Sequence, residues 1–138
     1  MADRFTISVP GKAEYVGTVR MAVSHIASKI GFDIEAIDDI KVAVSEACTN
    51  IIVHAEGGEG FNYEVIVDIE ENGLTITVED SGVGFGLEEY ITPVPGESRG
   101  SGLGIFIIRA LMDEVDIYTE PGVGTRIRMS KGLQSLGG

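Results

Sequence analysis

The chain of 138 residues has one cysteine, two histidines and no tryptophan. Cys48 therefore has no partner for an intrachain disulfide and cannot join a cysteine cluster around a metal. With only His25 and His54, a histidine-rich zinc site is not expected either. No stretch reaches the roughly 18 consecutive apolar residues of a membrane span, and the N-terminal MADRFTISVPGK lacks an apolar run behind basic residues. These absences lead to the expectation of a soluble, cytoplasmic protein that does not engage a membrane.

Basic residues are also missing from one long stretch. No Lys or Arg occurs between Lys41 and Arg99, while residues 42–98 carry 12 acidic groups. The rest of the chain balances 10 acids against 10 bases, so this segment accounts for the whole net charge of −12. Nucleic acid is bound largely by Lys and Arg displacing counterions, so direct DNA or RNA binding is not expected. The length suits one domain spanning residues 1–138, and roughly two-thirds of the unfolded surface can be buried at this size.

Residues Arg4 to Val9 alternate polar and apolar and stop at Pro10-Gly11, a short strand ended by a turn. A helix with an apolar stripe at Val16, Val19, Val23, Ile26 and Ile30 follows and ends at Gly31. Asp33 is placed to cap a longer helix that runs to about His54, with Ile37, Ile40, Val44, Ala47 and Ile51 inward. Two strand-like runs, Tyr63 to Glu70 and Leu74 to Glu79, are joined by Glu71-Asn72-Gly73, where an Asn-Gly pair tolerant of positive φ predicts a hairpin. From Ser81 to Ser101 the chain is rich in Gly, Pro and Ser and too long for an ordinary connection, so a lid is expected at about 85–101. A helix from about Gly104 to Met112 and strands over Val115 to Thr119 and Thr125 to Met129 complete the pattern, with a frayed tail from about 131 to 138. The predicted architecture is α+β: a two-layer sandwich with a mixed, mostly antiparallel sheet and helices on one face.

Three places could carry chemistry. Glu46 and Asn50, four residues apart on the long helix, project from one face offset from the apolar stripe. That pair reads either as a solvated face or as a hard-cation site, since Mg²⁺ takes oxygen ligands and keeps several waters. The strand Leu74 to Glu79 runs into Asp80-Ser81-Gly82-Val83-Gly84-Phe85-Gly86, whose glycines permit a sharp turn and close approach to a ligand. It is not the dinucleotide pattern, because its third glycine falls one residue early and no periodic helix follows. Gly100-Ser101-Gly102-Leu103-Gly104 does open a helix, where free backbone N–H groups can bind an anion without a lysine. No G-x-x-x-x-G-K-[ST] occurs, which excludes a Walker-type loop. Each glycine cluster alone also fits plain turn chemistry.

The segments SEACTNIIVHA (45–55), EDSGVGF (79–85) and RGSGLGI (99–105), in this order and spacing, resemble the N, G1 and G2 boxes of the GHKL ATP-binding fold shared by histidine kinases, Hsp90, MutL and type II topoisomerases. AEYVGTVR near the start, VSEACTN, and ALMDEVDI after the last helix resemble the anti-sigma factor serine kinases of the RsbW and SpoIIAB type. The resemblance covers about residues 10 to 130. It implies ATP and Mg²⁺ as cofactors, with Asn50 matching the Mg²⁺-binding asparagine and Glu46 the glutamate taken as general base. By the same resemblance Asp80 accepts a hydrogen bond from the adenine amino group, Thr125 lies near the same edge, and Gly82 and Gly84 let the backbone pass beside the base. Gly102 and Gly104, with Ser101 and Leu103 between and beside them, would present amides to the phosphates. Arg99 resembles a lid arginine, although Gly100 separates it from Ser101-Gly102, and Arg20 resembles a partner-contacting residue but reads equally as a plain solvated arginine. The complete Asp-x-Gly-x-Gly run speaks for nucleotide binding rather than for the subgroup, some of whose members have a degenerate version.

The leading expectation is thus an anti-sigma factor and protein serine kinase. It would bind a sigma factor, phosphorylate a serine of an anti-anti-sigma (STAS-type) partner, and form a homodimer. The alternative is an ATP-binding switch module that phosphorylates nothing. A histidine-kinase catalytic module is disfavoured, because the chain has no room for a dimerisation domain and its N box lacks the lysine often found after the asparagine. The remaining singletons have structural readings, His54 as a helix-end residue and Cys48 as a small apolar core residue.

Overall fold

The computed structural model describes residues 3–54, 61–81, 101–120 and 124–133. Strand β1 (Asp3–Pro10) leads through a 3-10 turn (Ala13–Tyr15) to helices α1 (Val16–Ile30) and α2 (Ile34–His54). Strands β2 (Asn62–Glu70) and β3 (Gly73–Ser81) follow, then helix α3 (Ser101–Leu111) and strands β4 (Glu114–Glu120) and β5 (Gly124–Gly132). The strands form one sheet in the order β1-β2-β3-β5-β4, antiparallel at every described pairing. No described helix is long and apolar enough to cross a membrane.

The helices form where the periodicity requires them. Val16, Val19, Val23 and Ile26 of α1 are buried, and Gly31, at φ 118°, ends the helix as its N–H and that of Phe32 both donate to the Ala27 carbonyl. Asp33 Oδ1 accepts from the Ala36 N–H at 2.8 Å and caps α2, a contact worth about 1 kcal/mol. Ile40, Val44, Ala47 and Ile51 then point inward. Arg20 braces the two helices by donating to Ser45 Oγ at 3.1 Å.

On the sheet, side chains facing the helices fall into rows set by the register. Val67, Ile76, Met129 and Val115 form one row, and Val65, Val78, Ile127 and Ile117 the next. One step further, the row becomes Asp80, Thr125 and Thr119. The opposite face is polar, and there bases from outside the acidic segment meet its carboxylates: Arg4 Nε with Asp68 at 2.6 Å and Arg126 Nε with Glu79 at 3.0 Å.

Three sequence expectations need correction. The β2–β3 connection is a two-residue turn in which neither Glu71 nor Asn72 takes a positive φ. Of the Asn-Gly pair only Gly73 takes a positive φ, 159°, and a Cβ there would also collide with the Lys131 carbonyl oxygen. Helix α3 starts at Ser101, about one turn earlier than the glycines suggest. The tail is not frayed through Leu133: Lys131 and Gly132 lie in β5, and the Leu133 N–H donates to Asn72 O at 2.8 Å.

Candidate functional site

Three anchors set the direction of the helix layer over the sheet. Lys131 Nζ, next to Leu74 in register, donates to the Leu111 carbonyl at the C-terminal end of α3 at 2.7 Å and lies 4.0 Å from Asp39 on α2. The Cys48 thiol, late in α2, lies beside the Tyr63 hydroxyl, which finds no well-directed hydrogen bond among the described residues. Burial pushes the Cys48 thiol up to about 11, and burial with the neighbouring thiol raises Tyr63 as well, so both stay neutral at physiological pH. The end of α2 and the start of α3 therefore lie away from Lys131, at the end of the sheet that carries Asp80 and Thr125.

At that end Glu46, Asn50 and Gly104 meet. A Cβ built on Gly104 would stand 2.5 Å from Asn50 Nδ2 and 3.0 Å from Glu46 Oε1, so the missing side chain is what lets α3 pack onto this pair. Asn50 is 5% exposed, not on a solvated face, because α3 covers it. Its Nδ2 donates to the Glu46 carbonyl at 2.9 Å, which fixes the amide and turns Oδ1 the other way. Oδ1 is buried and has no hydrogen-bond partner among the described residues. A buried carbonyl oxygen left in that state costs about 1–3 kcal/mol unless something occupies it. A hard cation fits this oxygen, and no group of three or more His, Cys, Asp or Glu able to hold a metal exists among the described residues. Such a cation would therefore depend on Asn50 and on ligand oxygens.

Since α3 begins at Ser101, the run Ser101-Gly102-Leu103-Gly104 is its first turn. Amides in that turn lack intrahelical acceptors and can face an anion. Gly104, at the end of the turn, also has no room for a side chain beside Asn50. Leu103 points outward, half exposed.

The second half of the site is the polar row. Asp80 and Thr125 are buried, at 7% and 2% exposure, in a depression at the strand ends also lined by Tyr118, Thr119, Glu120 and Gly124. Thr119 Oγ1 and Thr125 Oγ1 are 3.1 Å apart. Thr119 was not anticipated from the sequence, although pairing the two strands across residues 121–123 puts it opposite Thr125. Gly82, Gly84, Arg99, Gly100 and the lid expected at about 85–101, up to residue 100, lie outside the described residues, as do the side chains of Ser101 and His54.

Known proteins resemble this chain over most of its length. The histidine kinase-like ATPase domain family matches residues 9–131. A serine-protein kinase RsbW of Listeria monocytogenes serotype 4a is 44% identical over 133 residues, covering 89% of this chain and 84% of its own. The protein of that name from Halalkalibacterium halodurans is 38% identical over 140 residues, covering 96% and 85%. Among solved structures, the RsbU and RsbW domains of a Mycobacterium tuberculosis protein share the fold at a TM-score of 0.70 and 22% identity, over 95% of this chain and 32% of that one.

Proposed function

Because the chain belongs to the histidine kinase-like ATPase family, and within it to the RsbW-type serine-protein kinases, we propose that it is an anti-sigma factor that binds a sigma factor and uses Mg-ATP to phosphorylate a serine of a STAS-type anti-anti-sigma partner. The observation that carries this reading is the junction of Glu46, Asn50 and Gly104, where a carboxylate and an unsatisfied amide oxygen lie against the first turn of α3.

Phosphoryl transfer asks a protein mainly for positioning and charge compensation. In this reading Asn50 Oδ1 is the side-chain oxygen offered to Mg²⁺, which when bound offsets charge on the phosphates. The first-turn amides of α3, with Gly102 among them, face the phosphate oxygens, and Arg99 and Gly100 belong to the lid over them. Glu46 takes the proton from the partner's serine hydroxyl as the γ-phosphoryl transfers; an ordinary glutamate is a weak base, so part of its effect is orientation. Asp80 accepts from the adenine amino group, with Thr125 beside it and Gly82 and Gly84 giving the backbone close passage. The protein works in the cytoplasm as a homodimer, and its acidity favours a basic surface on its partner.

The test is incubation with Mg-ATP and a cognate anti-anti-sigma protein, read by intact mass. One phosphoryl group gained on a partner serine is the expected result. An unmodified partner in the presence of bound nucleotide overturns the kinase reading and leaves an ATP-responsive switch module.

A further inference from the structure

We infer that Thr119 is a positioning residue for base recognition: its hydroxyl donates to Thr125 Oγ1 and so commits Thr125 to act as a donor toward the purine. The inference rests on the reading of Asp80 and Thr125 as the adenine pocket. The three residues are consecutive in one row across β3, β5 and β4, with Thr125 in the centre, Asp80 opposite it on one side and Thr119 on the other. The two hydroxyl oxygens are 3.1 Å apart, and either could supply the proton.

The chemistry of the base decides the useful direction. Adenine presents a donor, its amino group, next to an acceptor, N1. Guanine presents the reverse, an acceptor oxygen next to an N1–H donor. A carboxyl oxygen accepts, so Asp80 in the proposed pocket already matches the amino group. A threonine hydroxyl has one proton and two lone pairs and, left to rotate, can serve either base. When Thr119 fills one lone pair of Thr125 with its own proton, the Thr125 proton turns outward, directly or through one water, toward the N1 acceptor. Thr125 is 2% exposed, so bulk water cannot substitute freely for that neighbour. Thr119 thereby sharpens the preference for adenine without touching the base.

The experiment measures ATP and GTP affinity by calorimetry for the wild-type protein, Thr119→Val, Thr119→Ser, Thr125→Val, the Thr119→Val/Thr125→Val double variant and Asp80→Asn. Valine keeps the branched shape suited to a strand and removes only the hydroxyl. Thr119→Val should lower ATP affinity by about five- to tenfold, the worth of one hydrogen bond, and GTP affinity less, so the ATP/GTP ratio falls. Thr119→Ser should restore the ratio, and the double variant should shift the ATP/GTP ratio no further than Thr125→Val, because the proposed effect on the base passes through Thr125. An unchanged ratio in Thr119→Val, an equal loss in Thr119→Ser, or additive shifts of the ratio in the double variant would each overturn the inference. If Asp80→Asn weakens ATP binding while Thr119→Val changes nothing, Thr119 alone is refuted; if Asp80→Asn also has no effect, the adenine pocket itself is refuted and the inference falls with it.

Discussion

Replacing Gly104 with alanine separates folding from function. In an isolated helix interior the change should stabilise by about 0.5–1 kcal/mol, because glycine has more backbone freedom to lose on folding. Here the added methyl would lie 2.5 Å from Asn50 Nδ2 and 3.0 Å from Glu46 Oε1. The first approach cannot stand and the second asks Glu46 only to give slightly, so the Asn50 amide must rotate and give up its 2.9 Å bond to the Glu46 carbonyl, a loss of about 1 kcal/mol. Residual overpacking adds about 1 kcal/mol more. The helix gain offsets only part of these losses, and a net destabilisation of about 1–1.5 kcal/mol remains. The cation-facing oxygen, however, is no longer held in place, and Mg-ATP binding should fall at least about tenfold. Thermal or urea unfolding gives the first quantity and calorimetric titration with Mg-ATP the second. A double-mutant cycle sharpens the test: in an Asn50→Ala background the clash with the amide is gone, so Gly104→Ala should become neutral or stabilising. Wild-type Mg-ATP affinity in Gly104→Ala, or the same destabilisation with and without Asn50, would refute the contact as the reason for the glycine.

Further expectations follow from the same geometry. Glu46→Gln should keep ATP affinity within about twofold and lose phosphoryl transfer by about two orders of magnitude in a single-turnover assay; undiminished transfer would remove Glu46 as the base. ATP binding should collapse in excess chelator, since a polyanion would otherwise enter the most acidic part of the chain, and equal affinity with and without Mg²⁺ would contradict the role given to Asn50. Stability should fall at alkaline pH. The Cys48 thiol ionises near 8.5–9 when unfolded and only at about 11 when folded, so its contribution is whole below about pH 9 and is lost between there and pH 11, by about 2–3 kcal/mol. Unfolding titrations should show this slope, and Cys48→Ala should flatten it up to about pH 10, above which the buried Tyr63 hydroxyl still adds its own loss.

The two long helices were legible in the chain because their inward faces follow the 3.6-residue period and because Asp33 and Gly31 mark their ends. The hairpin was legible in place but not in mechanism. Asn-Gly suggested positive φ at both residues, yet only Gly73 takes it, and that glycine is also required by the carbonyl of Lys131, a residue 58 positions away in sequence. The start of α3 was missed for a related reason: glycines weaken local helix propensity, and only packing on Asn50 shows why they fall in a first turn. For Asn50 a solvated face stayed open beside the hard-cation site because nothing local reveals that α3 covers it. The Glu46 and Asn50 pairing could be read from a four-residue spacing, whereas the part assigned to Asp80 came from resemblance alone. Thr119 needed the strand register, which periodicity within one segment does not supply.

The row that turns polar one step beyond Val78, Ile127 and Ile117 also links recognition to correct assembly. Strand residues alternate between faces, so a slip of β5 by one position would send Thr125 to the far side and bring Arg126 or Gly124 beside Asp80. Such a chain could still be compact, but it would be blind to the nucleotide. Binding thus acts as a parity check on the sheet, and ligand present during refolding should enrich the single registration in which Asp80 and Thr125 stand side by side.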